Sequence, residues 1–134
     1  MKCVFCGKEM SELESNNASP FRGRCCSRCN DLIVVPARLL PMQTPPIILF
    51  NIDNLSIDSY TTHLYTVDIN TITTLLNTDD ITLECNVSFK NKAYAVIATK
   101  LKKQMKMNKM FNQLFEGQCN PLRGNVLIID KAYL

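Results

Sequence analysis

The stretch from residue 3 to residue 29, CVFCGKEMSELESNNASPFRGRCCSRC, decides how the front of this chain folds. Cys3-Val4-Phe5-Cys6 and Cys26-Ser27-Arg28-Cys29 are cysteine pairs with two-residue gaps, and 19 residues lie between them. Such a gap lets both sulfurs of one tight turn reach a single ion at tetrahedral angles, and two such turns complete a four-thiolate shell. Gly7 directly follows the first pair, where a backbone that curls its amides toward the thiolates uses positive φ. Arg24 and Arg28 flank the second pair and offset the formal double negative charge of a zinc ion held by four thiolates. The pattern therefore points to Cys3, Cys6, Cys26 and Cys29 as ligands of one structural Zn2+. A closed sulfur shell has no open position for water or substrate, so a catalytic role for the ion is not expected. One alternative stays open, because Cys25-x3-Cys29 can substitute Cys25 for Cys26 as a ligand. Otherwise Cys25 reads as a small apolar residue beneath the metal.

The order of pieces is Cys3-x2-Cys6-Gly7-Lys8, a polar hairpin, then Arg24-Cys25-Cys26-Ser27-Arg28-Cys29. It resembles the treble-clef family of small zinc fingers, in which the second pair opens a helix. Zinc ribbons, whose second pair opens a strand, are the competing resemblance. Leu32-Ile33-Val34-Val35 is largely β-branched, and Pro36 interrupts a helix begun at Ser27. The resemblance covers about a quarter of the chain, carries over only the four ligand positions, and implies binding or scaffolding rather than catalysis.

The remaining sequence is that of an ordinary folded protein. Its 134 residues suit a small metal module joined to one α/β domain, and 46 % hydrophobic with 20 % charged residues gives no sign of global disorder. We expect a zinc-finger module over 1–40, a stiff, extended Pro-rich linker over 41–46, and an α+β body over 47–134. No apolar leader precedes the first cysteines and no run approaches the ~18 apolar residues of a membrane helix. A cytoplasmic protein that crosses no membrane is the expectation. Thirteen Asn together with abundant Ile, Lys and Thr give the composition of a bacteriophage accessory protein, so the compartment would be the host cytoplasm.

Along the body, Ile47 to Ile52 reads as a buried strand, Thr61 to Val67 as a second, and Asp68 to Asn77 as a short helix capped by Asp68. Ile81 to Phe89 alternates apolar and polar residues like a half-buried strand, with Cys85 on the apolar side as a core residue. The longest element is expected to be one helix over 91–115, with Tyr94, Ile97, Ala98, Leu101, Met105, Phe111, Leu114 and Phe115 on its apolar side. Gly117 stops it, Val126 to Ile129 forms a last buried strand, and Cys119 finds no role.

Enzyme classes fare badly. Four glycines, at 7, 23, 117 and 124, leave no phosphate-cradling loop, and His63, the single histidine, excludes multi-histidine metal catalysis. Asp79-Asp80 reads as a turn before a strand. The formal charge is +3, and four thiolates around one divalent ion lower it to about +1, a weak pull on nucleic acid. That charge is unevenly placed: residues 45–89 hold six acids and no Lys or Arg, whereas 90–134 hold nine bases against Glu116 and Asp130. The candidate contact surface is Arg22, Arg24, Arg28 and the lysines Lys100, Lys102, Lys103, Lys106 and Lys109. The first expectation is a non-enzymatic, zinc-containing protein that engages and modulates a host protein or complex. The alternatives are a nucleic-acid-binding regulator and a protein that self-assembles, its acidic half against the basic half of another copy.

Overall fold

A computed structural model describes residues 1–62, 66–100 and 103–134. Its centre is a five-stranded sheet. β3 (Ile47–Asn51) and β4 (Ser56–Tyr60) form one hairpin, β5 (Ile81–Phe89) and β6 (Lys92–Thr99) a second, and β7 (Val126–Asp130) enters last between them. The order is β4-β3-β7-β6-β5, antiparallel at every pairing. The earlier β1 (Asn16–Asn17) and β2 (Arg24–Cys25) pair with each other, as the arms of the cysteine hairpin.

The strand period sorts the apolar residues into two faces. Ile48, Phe50, Tyr94, Val96, Ala98, Val126 and Ile128 lie in one buried cluster, and Ile47, Leu49, Ile97, Leu127 and Ile129 in the other. β7 is buried along its whole length, which is why Val126 to Ile129 has no polar residue. The second face is covered by α3 (Ile69–Leu76) through Ile72 and Leu76. Asp68 caps α3 by accepting a 2.9 Å bond from the Thr71 amide, and that bond lowers its carboxyl pKa.

The first face is covered by α4 (Lys109–Leu114) and by the whole cysteine-bearing front of the chain. Cys3, Met10, Phe21, Cys29, Ile33, Val34, Ala37 and Leu40 share one continuous buried cluster with the sheet residues. The cover is a helical run over 27–43: α1 (Ser27–Cys29), a π-helical turn over Asn30–Val34, and α2 (Val35–Gln43). Pro36 cannot donate a backbone bond, and its ring crowds the carbonyl four residues back. The wider π turn, in which the Val35 amide donates to Asn30, opens the backbone just before that ring and lets the helix continue. The expected extended spacer over 41–46 is helical as far as Gln43 and stops at Thr44, whose φ of 41° ends the helix. Tyr94 then donates its hydroxyl to the Pro45 carbonyl at 3.1 Å. Burial, reinforced by Asp130, pushes that phenol up to about 12.

The long helix expected over 91–115 does not form. Lys92–Thr99 is strand β6, the backbone then turns, and only Lys109–Leu114 is helical. The reversal comes at Lys90-Asn91, with φ of 50° and 64°, the two left-handed residues of a tight hairpin turn. A strand buried on both faces loses its alternation, so Tyr94 to Ala98 satisfies a helical pattern equally well. Thr61 to Val67, read as a strand, has none at its described residues: β4 ends at Tyr60, and residues 63–65, His63 among them, lie outside the described residues.

Candidate metal centre

Cys3 and Cys6 sit on a tight turn closed by the Gly7 amide bonding the Cys3 carbonyl at 3.0 Å and the Cys3 amide bonding the Lys8 carbonyl at 2.9 Å. Gly7 has φ of 77° with open space where a Cβ would stand, so its backbone conformation is the reason for glycine there. On the other side, β2 leads into Cys26, extended at φ −73° and ψ 167°, and Cys29 lies in the first helical turn behind it. The second pair thus opens a helix, not a strand. A bond from the Val4 amide to the Arg24 carbonyl at 3.1 Å joins the two knuckles. Gly23 permits this approach: with φ of 95°, an added Cβ would lie 2.6 Å from Val4 Cγ1. Phe5 and Phe21 pack edge to face at 5.2 Å beneath the hairpin.

These constraints bring four sulfurs together. The Sγ atoms of Cys3, Cys6, Cys26 and Cys29 all lie within 4.8 Å of one another, with Cys6 and Cys26 3.8 Å apart. Tetrahedral metal–sulfur bonds of 2.3 Å require sulfur–sulfur separations of about 3.8 Å, so the residues present fit a four-coordinate ion. Cys3, Cys26 and Cys29 are buried and Cys6 is exposed. Cys25 is fully buried yet stands outside the quartet, because consecutive residues of an extended segment point opposite ways. Of the two spacings the sequence left open, the cluster is built on Cys26.

The electrostatics favour a cation at this point. Burial works against ionisation of Cys3, but backbone amides of Cys6, Cys26 and Phe5 outweigh it and bring its thiol down to about 6. Burial and the neighbouring sulfurs of Cys26 and Cys3 push the Cys29 thiol far up. Cys6, though exposed as a residue, is also raised, first by partial desolvation of its sulfur and then by the sulfurs of Cys3 and Cys26. One thiolate forms readily, and a positive ion would offset the cost of ionising Cys6 and Cys29.

The residues of the expected basic surface sit on separate elements. Arg22 forms an exposed 3.0 Å ion pair with Glu116, and its amide bonds Gln113 Oε1 at 3.0 Å. Arg24 is turned onto Ser15, whose Oγ and carbonyl it reaches at 2.6 and 3.1 Å, and so ties the hairpin arms together. Arg28 is exposed on the first helical turn. Lys100, Lys103, Lys106 and Lys109 are exposed along the turns from β6 to the start of α4 and share no helix face, and Lys102 lies outside the described residues.

Three features had no clear sequence signal. Arg38 of α2 donates to the carbonyls of Ser19 and Asn17 at 2.7 and 3.1 Å and fastens the hairpin tip to the helix. Asn108 is wholly buried and holds three segments: its Nδ2 donates to the Phe50 and Gly124 carbonyls, each at 2.9 Å, and its Oδ1 accepts from the Phe111 amide. Cys85 and Cys119 form a disulfide across 34 residues, which gives Cys119 its role and revises the reading of Cys85 as a plain core residue.

No helix among the described residues is long and apolar enough to cross a membrane. The chain matches no protein-family model, and neither a curated protein nor a solved structure is significantly similar to it.

Proposed function

We propose that this chain is a non-enzymatic binding protein whose front is stabilised by one structural zinc ion and which engages and modulates a host protein, in keeping with its phage-like composition. The observation that carries the reading is the sulfur quartet's position: it is built into the buried cluster that covers one face of the sheet, with three of its four cysteines buried. Zinc is the ion proposed because four thiolates at tetrahedral separations, on paired two-residue knuckles, suit it best. The helix opened by Cys26 and Cys29 favours the treble-clef resemblance over the ribbon.

A groove of about 530 Å³ next to Cys6 supports a protein partner. Phe5, Ile52, Leu55, Met107 and Met110 supply its apolar lining, and Lys106 and Lys109, against the single acid Asp53, give it a net positive charge. Adaptable methionines with lysines beside them suit an acidic, partly apolar protein surface. The nucleic-acid reading keeps only the chain proximity of the lysines in its favour.

The test is native mass spectrometry of the purified protein before and after incubation with host lysate. One zinc and one defined protein, lost in the Lys106→Glu/Lys109→Glu variant, is the expected result. Co-purifying nucleic acid that dissociates in high salt would replace this reading with the regulator.

A further inference from the structure

The Cys85–Cys119 disulfide joins two parts of the fold that have a separate connection beside it. Cys85 lies within β5, an edge strand whose one strand partner among the described residues is β6, and Cys119 lies in the loop after α4. Immediately before Cys119, the Gln118 side chain bonds one residue of that strand twice. Its Oε1 accepts from the Ser88 amide at 2.8 Å, and its Nε2 donates to the Ser88 carbonyl at 3.3 Å.

Ser88 stands opposite Ala93 of β6, yet both of its backbone polar groups turn away from β6 toward the open edge. That is where a further strand would bond, and one amide side chain now occupies the place. The loop is thus a cover on the sheet edge, and the disulfide is its fastening. The fastening is within reach of solvent: both cysteines are half-buried, and an open depression of about 450 Å³ beside them is lined by Glu84, Gly117, Gln118 and Asn120 together with the two cysteines and Leu122.

We propose that Cys85–Cys119 is a thiol-exchange site, with a dithiol reductant as its co-reactant, and that its opening uncovers β5 for antiparallel pairing with β5 of a second copy of this chain. In the first step a reductant thiolate attacks one of the two sulfurs, forming a mixed disulfide and expelling the other as a thiolate that takes up a proton. The second thiol of the reductant then attacks the mixed disulfide. The reductant leaves as its own disulfide, and two electrons and two protons end on Cys85 and Cys119.

A second copy is the occupant because β5 suits itself. With Val87 opposite Val87, Asn86 faces Ser88 and Cys85 faces Phe89, and none of these residues is charged, so no like charges oppose. The register break between Leu83 and Cys85 confines good pairing to the end of the strand that Gln118 covers. The resulting contact is a two-fold, self-complementary one.

The experiment uses the zinc-loaded full-length protein, with and without dithiothreitol, read by intact mass, hydrogen exchange and sedimentation. Reduction should add about 2 Da at Cys85 and Cys119, raise exchange at the Ser88 amide about tenfold at dilutions where the protein stays monomeric, and at higher concentration convert monomer to dimer, with the Ser88 amide protected again and the zinc retained. Gln118→Ala, which leaves the disulfide in place, should raise Ser88 exchange by itself. Cys85→Ser/Cys119→Ser should dimerise without reductant. A reduced protein that remains monomeric with unchanged Ser88 exchange overturns the proposal, as does a disulfide that dithiothreitol cannot open in the folded state.

Discussion

Replacing Cys25 and Cys26 one at a time by alanine separates a packing cysteine from a ligand at adjacent positions. Cys25 is fully buried and outside the sulfur quartet, so Cys25→Ala removes one buried atom and leaves a small void. A missing methylene-sized group costs about 1 kcal/mol, which in a protein of this size lowers Tm by roughly 4 °C. Zinc content should stay at one per chain. Cys26→Ala removes a sulfur that stands 3.8 Å from Cys6 and breaks the closed shell. Binding of a structural zinc supplies about 10–16 kcal/mol, comparable with or larger than the 5–15 kcal/mol that holds an ordinary domain folded. Losing most of it should unfold the front of the chain. Because Phe21, Ile33, Val34 and Leu40 share their buried cluster with Ile48, Phe50 and Val126, the loss should spread into the sheet as a broadened transition with a much lower midpoint. The assay is native mass spectrometry for zinc, alongside urea unfolding followed by circular dichroism. A Cys25→Ala protein without zinc, paired with a Cys26→Ala protein that keeps it, would refute the assignment.

Two further outcomes test the core and the electrostatics. Asn108→Ala should cost about 3 kcal/mol, from the lost cap and two carbonyls deprived of a buried donor, whereas Asn108→Asp, which keeps the cap acceptor but points carboxylate oxygen at those carbonyls, should cost at least as much. Urea denaturation showing Asp equal to wild type would reject that account. Zinc binding at pH 7.5 should release fewer than four protons, because Cys3, at about 6, is already ionised. The sign follows from a folded value below the ordinary thiol value of 9.0: the advantage is complete above about pH 9 and is lost as pH falls through about 6. Calorimetry in buffers of different ionisation enthalpy counts the protons, and a count of four would refute the lowered Cys3.

The cysteine quartet was legible because its signal is local. Two-residue gaps dictate where sulfurs point whatever the rest of the chain does, so spacing alone nominated Cys3, Cys6, Cys26 and Cys29. Strands β3, β5 and β7 and helix α3 were legible for a related reason, since their apolar period or their bounding turn and cap residues lie within the element itself. β6 was not, because Lys92–Thr99 is a strand only by virtue of β5 on one side and β7 on the other, partners that flank it from opposite directions along the chain. Burial on both faces then erased the alternation that would have marked it. Pro36 misled in the opposite sense, since a π-helical turn absorbs the clash that a regular helix could not.

By itself, the sequence determined the four-thiol knuckles, their likeness to small zinc fingers and the mixed α/β character of the rest of the chain, all of which depend on residues near one another along it. Tertiary structure alone decided that the cysteine module packs into the sheet's own core and that Cys119 meets Cys85. Each of these rests on side-chain direction or on contacts between residues distant in sequence, and burial of a common apolar surface brings those residues together with no trace in local spacing.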